Sequence, residues 1–392
     1  MRVPFLDLRA QDAEVGAALR AAVGEVIESQ QCVLGPVVER FERAMAEYAG
    51  VRHAIGVGSG TDALALAMAA LGVGPGQLVA TTAFTFFATA STIVRLGARP
   101  LFVDIDPRSF NLDPTALAAA LEGGKHRVAG IVPVHLYGRV AAMDEILALA
   151  ARHGCWVVED AAQAIGARTP AGMAGTLGQA GSLSFYPTKN LGGIGDGGMV
   201  LTSDDALAGR IRRERHHGMT APYRHESIGL CSRLDAVQAA ALGAKLPLLD
   251  RWTERRRAIA ARYTAGFEAA ILTAAAGGPL VVPEAAGAAH VFHQYVIRAQ
   301  QRDRLAAHLA SRGIGTQIYY HIPLHRQAAL VAHAVIPSPL EQTERAVAEV
   351  LALPIYPQLA DAQIDAVVDA VATFYRQGGR DAARVEGGGI AR

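Results

Sequence analysis

Lys189 sits in the segment whose residue types and spacing most directly suggest chemistry, SLSFYPTKNLGGIGDGGMVLTS (182–203). A strand-like run leads to the lysine, and five glycines follow within seven residues, Gly192 to Gly198. Glycine lets a backbone pass close to a bulky ligand and adopt positive φ. A lysine so placed can form a Schiff base once partial burial or nearby cations lower its pKa and favour the free amine. The choice of amine is narrow, because the chain has only three lysines, Lys125, Lys189 and Lys245, among its 37 basic residues. The remaining 34 are arginine, which keeps its proton near neutral pH. Lys125, in EGGKHR, reads as part of a solvated loop, and Lys245, in a helical stretch before Pro247, as a snorkelling side chain. Taken alone, the 182–203 segment fits a surface lysine beside a glycine-rich turn equally well.

Upstream, the run CWVVED (155–160) ends in Asp160, with Gln163 three residues on. An acid at the end of a buried strand is costly unless a positive charge lies nearby. A protonated pyridine nitrogen would supply that charge, which is how an aspartate keeps a pyridoxal phosphate ring an electron sink. Gln163 could then donate to the ring's phenolic oxygen. The plainer reading makes Asp160 a helix N-cap and Gln163 a polar helix residue. In GVGSGTDALALA (56–67) a strand runs into a Gly-Ser-Gly-Thr turn that opens a helix, and the free amides at Gly60 and Thr61 suit a phosphate. Ser184 could add a hydroxyl to the same phosphate. The turn lacks the spacing of a nucleotide P-loop and of a dinucleotide fingerprint, which weakens kinase and nicotinamide-dehydrogenase readings. In AFTFFATA (83–90), one of Phe84, Phe86 and Phe87 could lie flat on a planar cofactor.

These groups fall at the ends of strand-like runs that alternate with helical patterns: 53–57, 77–82, 99–105, 128–134 and 155–160, with helix candidates at 61–72 and 143–154 between them. The alternation predicts an α/β fold with a mostly parallel central sheet and functional groups at the strands' carboxyl ends. Beyond Met199, long helices are expected over about 203–216 and 233–266. One alternating strand follows at 290–299, then helices near 302–312, 340–351 and 362–375. This divides the chain into a large cofactor-binding domain (1–250), a small C-terminal α+β domain (251–378) and a flexible tail (379–392). Its 392 residues are enough for two domains at ~150 residues each. A hydrophobic share of 51% and 37 basic against 36 acidic residues exclude a disordered chain and argue against nucleic acid as partner. No apolar run reaches a membrane span, and MRVPFLDLRAQD does not read as a signal peptide, so a cytoplasmic protein is expected. Cys32, Cys155 and Cys231 form neither a metal-type pair nor an even disulfide set.

The motifs SGTDAL, AFTFFATA, VHLYGRVAAMDEI, VEDAAQAIGA, SFYPTKNLGGIGDGG, SRLDAVQAA and IYYHIPLH run in this order across nearly the whole chain, after an opening VPFLDLRAQ. Together they resemble the DegT/DnrJ/StrS family of sugar-nucleotide aminotransferases. The resemblance implies an aspartate-aminotransferase-like fold type I, pyridoxal phosphate as cofactor, and a homodimer with active sites at the subunit interface. It makes Lys189 the Schiff-base lysine, Asp160 the partner of the pyridine nitrogen, Gln163 the phenolic-oxygen contact and Phe86 the stacking ring, with Gly60, Thr61 and Ser184 on the phosphate. Where the family usually has an asparagine that reaches the neighbouring subunit's phosphate, IGLCSRLD places Cys231. A thiol is a poor substitute for an amide donor. Either Cys231 makes the contact, or Ser232 or a water fills the gap, or Cys231 is a small buried apolar residue.

The activity implied is two-stage amino transfer from L-glutamate to a nucleoside-diphosphate-linked keto sugar in amino-sugar, lipopolysaccharide or antibiotic biosynthesis. The form SFYPTKNLGGIGDGG resembles enzymes that aminate carbon 3 more than those acting at carbon 4, which more often end in GEGG. Substrate contacts are expected from Tyr223 and Arg224, in the His- and Arg-rich loop 215–229, and from Tyr186, Tyr319, Tyr320, His321 and His325. A 4-keto sugar aminotransferase and a non-catalytic binding or regulatory protein remain as alternatives. Pyridoxamine-dependent sugar dehydration is disfavoured, because such relatives carry histidine where this chain has Lys189.

Overall fold

The computed structural model describes residues 1–123 and 127–387, with side chains through residue 377. Lys125 and its expected solvated loop lie outside the described residues. Two helices, α1 (Leu8–Ser29) and α2 (Pro36–Ala49), precede β1 (His53–Val57). Alternating units follow: α3 (Gly60–Ala70), β2 (Leu78–Thr82), α4 (Phe87–Arg95), β3 (Arg99–Val103), α5 (Pro114–Glu122), β4 (Val128–Ile131), α6 (Met143–His153) and β5 (Trp156–Asp160). Next come a small hairpin, β6 (Arg168–Thr169) and β7 (Gly172–Met173), then β8 (Ala180–Ser184), β9 (Gly198–Thr202) and α7 (Asp205–Glu214). A second hairpin, β10 (Met219–Ala221) and β11 (Arg224–His225), leads to α8 (Ala236–Lys245) and α9 (Leu249–Ala269). The C-terminal part holds β12 (Leu280–Val281), β13 (Tyr295–Ala299), α10 (Arg302–Ser311), α11 (Glu341–Glu349), β14 (Val350–Leu353) and α12 (Asp361–Gly387).

Seven strands form the central sheet in the order β1-β9-β8-β5-β4-β2-β3. Only β9 runs antiparallel, against both β1 and β8. Successive residues serve opposite faces: Val157, Met199 and Leu201 pack against α1, α2, α5, α6 and α8, while Val158 and Val200 pack against α3, α4 and α7. Burial on both faces explains why these strands read as continuous apolar runs. A three-stranded antiparallel sheet, β12-β13-β14, packs with α9, α10 and α12 in a second core centred on Tyr263, Phe267 and Tyr295. A third cluster joins the two parts, with Phe84, Val134 and Tyr137 against Val296, Val350 and Ala352. It lies beside the carboxyl end of β5, so the cleft between the parts opens where that strand delivers Asp160. No helix of the described residues is long and apolar enough to cross a membrane.

Several expectations need correction. The helix expected over 233–266 is two helices, because Pro247 has no N–H to donate and the chain makes a short 3-10 turn at Leu246–Leu248. The strand expected at 290–299 begins only at Tyr295, since Phe292 has a left-handed φ of 46°. The helix expected to reach residue 351 stops at Glu349, and Val350–Leu353 pairs as a strand with β13. Every residue of that strand is buried, so no alternation betrays it. The final helix continues through Gly387, past the start of the expected tail at 379, and residues 388–392 lie outside the described residues.

Candidate active site

The site is assembled from strand ends and the first turns that follow them. Ser59 caps α3 by accepting from Asp62 N at 3.1 Å, which leaves the amides of Gly60 and Thr61 free at the positive end of the helix. Gly60 is required there: a Cβ would come 2.7 Å from Ser184 Cβ, so only glycine lets the end of β8 approach the start of α3. Two amides and the Ser184 side chain therefore line one end of a cavity of about 600 Å³.

β5 ends in Asp160, which is buried and lines the same cavity. One carboxylate oxygen accepts from Thr89 Oγ1 at 2.7 Å and the other from Ala162 N at 3.2 Å. Burial pushes this carboxyl above its ordinary range, against the pull of those bonds and of Lys189. The strand itself is anchored by Glu159, whose buried carboxylate accepts from the amides of Gly175, Leu177 and Gly178 at 2.8, 2.6 and 2.7 Å and meets His135 Nε2 at 2.8 Å. Gln163 Oε1 accepts from Tyr137 N at 2.7 Å, so its Nε2 is the end that reaches Tyr320 OH, at 3.2 Å.

Lys189 follows β8 and lines the same cavity. Burial lowers its pKa to about 8, with Asp160 pulling weakly the other way, so a substantial share of the amine is neutral near physiological pH. Phe86 precedes the first residue of α4 and leaves 56% of its surface uncovered at the cavity wall, an open ring face that a flat ligand would bury. Tyr186, Tyr319 and Tyr320 line the cavity too. Among the candidates read from sequence, Gly60, Thr61, Phe86, Asp160, Gln163, Ser184, Lys189 and these three tyrosines are thus brought together.

Five candidates are not brought to the cavity within one chain. Tyr223 and Arg224 sit on the exposed β10–β11 hairpin, Tyr223 with 95% of its surface uncovered. His321 is exposed, while His325 is turned toward Glu344 at 2.9 Å. Cys231 is exposed rather than a buried apolar residue, and its sulfur accepts from Arg233 at 2.9 Å. Ser232 cannot stand in for it: its hydroxyl already donates to Asp62 at 2.8 Å and accepts from Gly58 N at 3.0 Å. Lys245 does not snorkel. It is buried, and its Nζ donates to Gly192 O at 2.7 Å, inside the glycine-rich loop after Lys189. Sequence reasoning also passed over Thr89 and His293, which lies in the cavity wall. Thr89 carried a signal, since it falls in the same AFTFFATA run as Phe86; His293 carried none.

The arrangement offers an anion cradle, a buried carboxylate facing a cavity, an uncovered aromatic face and a depressed-pKa amine. The sequence from residue 14 to 372 matches the model of the DegT/DnrJ/EryC1/StrS aminotransferase family. The chain belongs to this family. Relatives within the DegT/DnrJ/EryC1/StrS group include a protein of Geobacillus stearothermophilus named pleiotropic regulatory protein, 48% identical over 96% of this chain and 99% of its own. Another is the dTDP-3-amino-3,4,6-trideoxy-alpha-D-glucose transaminase of Streptomyces venezuelae, 41% identical over 94% of this chain and 95% of its own. A crystal structure of a family aminotransferase from Brucella abortus superposes with a TM-score of 0.90 at 38% identity, covering 95% of this chain and 99% of that one. Its fold is thus that of fold type I aminotransferases.

Proposed function

We propose that this protein is a pyridoxal phosphate-dependent aminotransferase that moves an amino group from L-glutamate to a nucleoside-diphosphate-linked 3-keto sugar. The observation that carries the reading is the pairing, in one cavity, of a lysine whose burial frees its amine with a buried aspartate at the end of β5.

The residues fit the cofactor. The cradle of Gly60, Thr61 and Ser184 would hold the phosphate, Phe86 would cover one ring face, Gln163 Nε2 would donate to the phenolic oxygen, and Asp160 would meet the ring nitrogen. When bound, pyridoxal phosphate supplies an electron sink for the pair left on a substrate carbon after deprotonation. Asp160, oriented by Thr89, holds a proton at the ring nitrogen and so keeps that sink effective. Lys189 Nζ takes the proton from the substrate carbon and returns it one position away, as a base poised near the operating pH. Tyr319 and Tyr320, whose hydroxyls burial keeps protonated, offer hydrogen bonds to sugar hydroxyls. Preference for carbon 3 is supported by the GDGG form and by the 3-amino product in the name of the Streptomyces relative.

Exposed Tyr223, Ile228 and Leu230 belong, in this reading, to the face a second copy covers, bringing Tyr223, Arg224 and Cys231 to the partner's cavity. A purely regulatory role echoes the name of the Geobacillus relative. Intact Lys189, Asp160 and Gln163 at one cavity support catalysis over it. The test is the absorbance spectrum after adding pyridoxal phosphate. A band near ~410–420 nm that gives way to one near ~330 nm on adding L-glutamate, and is absent in Lys189→Ala, is the expected result. A wild-type band that glutamate leaves unchanged defeats the reading.

A further inference from the structure

His293 is the one histidine among the described residues lining the cavity, and the chemistry above leaves it without a task. Its Nδ1 lies 3.3 Å from Asn190 Oδ1. Asn190 Nδ2 donates to Val291 O at 3.2 Å, which fixes Oδ1 as the amide atom facing the ring. Nδ1 therefore carries the imidazole proton and donates it, and Nε2 is a bare acceptor. Among the described residues neither that nitrogen nor Lys189 Nζ, one residue before Asn190, makes a hydrogen bond to a protein group, nor do the two bond to each other while the lysine is free. An unused acceptor and an unused donor thus open into the same cavity from segments tied together by the Asn190 side chain.

We infer that His293 is a positioning residue for Lys189: its Nε2 accepts a hydrogen bond from the Lys189 ammonium and holds Nζ where it collects and returns the substrate's proton. The inference rests on the aminotransferase reading. A lysine that has just taken a proton in a water-poor cavity has lost the solvent that would stabilise its charge, and a charge-assisted bond to a neutral acceptor offsets part of that loss. A second cation at this place would do the reverse. Burial, together with the charges of Lys189 and Arg256, holds His293 well below its ordinary pKa, so it stays neutral. Arg256, from α9, donates to the carbonyls of Phe292 and His293 at 3.2 and 3.4 Å and so also fixes the backbone that carries the ring. The other titratable groups lining this cavity are Asp160, which favours the lysine's charged form, Asp196, Tyr186 and Tyr319, and the tyrosines Tyr137 and Tyr320, which burial keeps protonated.

The scarcity of lysine makes the test direct. In apoprotein grown with lysine labelled at 13Cε, three lysine resonances titrate separately, and the one missing from Lys189→Ala belongs to Lys189. His293→Phe keeps a ring but removes the acceptor, and should lower the Lys189 midpoint by about half a unit to one unit while Lys245 stays put. His293→Gln, which offers an amide oxygen, should restore most of the shift. With pyridoxal phosphate bound, the maximal rate of the glutamate half-reaction should fall about tenfold in His293→Phe, with half-saturating glutamate changed less than about twofold. A Lys189 midpoint unmoved in His293→Phe overturns the inference; so does a rise in half-saturating glutamate at unchanged maximal rate, which would make His293 a substrate contact. Should the phenylalanine variant fail to fold, 15N-histidine spectra of the wild-type apoprotein decide. They must show Nε2 unprotonated between about pH 6 and 8, and the opposite tautomer overturns the inference. Because the titration is read without cofactor, its failure is distinguishable from failure of the aminotransferase reading, which the absorbance band reports.

Discussion

Lys189 is the residue on which the proposed chemistry turns, and its burial has a thermodynamic signature. A lysine held at a pKa of about 8 in the folded chain returns to the ordinary value near ~10.4 on unfolding. Between those values the unfolded chain binds more protons than the native one, so this group makes stability rise with pH across that window and costs stability below it. The wild-type minus Lys189→Ala difference in unfolding free energy should therefore increase by on the order of 2–3 kcal/mol from pH ~8 to pH ~10 in urea titrations of the apoprotein. A flat difference would mean that the amine is solvated. At Asp160 the expectation concerns catalysis: Asp160→Asn keeps the shape and the Thr89 contact but removes the charge facing the cavity. The maximal transamination rate should drop ~10²–10³-fold, as for other removals of a preorganised charge partner.

At the scale of elements, α8 reads the glycine-rich loop with two side chains seven residues apart on one face. Gln238 Oε1 accepts from Ile194 N at 2.8 Å, and Lys245 Nζ donates to Gly192 O at 2.7 Å. Lysine does this in a chain that otherwise uses arginine almost throughout. Lys245→Ala strands the Gly192 carbonyl in a buried place, and unfolding in urea should show a loss of about 1–3 kcal/mol. A loss within the error of the urea midpoint would show that the loop holds itself.

Elements also show what could be read in advance. Strands such as His53–Val57 and Trp156–Asp160 are short apolar runs bounded by turn signals, and an acid at the end of one of them stands out without any structure. The Gly60–Ser184 approach could be guessed only as two separate phosphate contacts, since nothing in the chain says that one glycine lets the other residue in. His293 was invisible because its role depends on an asparagine 103 residues away and on a cavity neither residue announces. The break at Pro247 sits between two good helical patterns, so the sequence read as one long helix.

For the whole molecule, the exposure of Tyr223 and Ile228 and the absence of Tyr223, Arg224 and Cys231 from their own chain's cavity make a second copy the expected occupant of that face. Sedimentation should find a dimer. Lys189→Ala and Arg224→Ala, each impaired alone, should regain activity when unfolded and refolded together, because the mixed dimer keeps one site with both native residues. No recovery would place Arg224 outside the shared site. The most direct measurement of the central claim follows nitrogen itself: L-[15N]glutamate, pyridoxal phosphate and a dTDP-linked 3-keto-6-deoxyhexose are incubated with the protein, and the sugar nucleotide is analysed by mass spectrometry. The account predicts a 15N-amino sugar nucleotide formed in step with 2-oxoglutarate and lost in Lys189→Ala. A sugar nucleotide that stays unlabelled, offered as the 3-keto or the 4-keto form and as the dTDP-, UDP- or GDP-linked sugar, would contradict it.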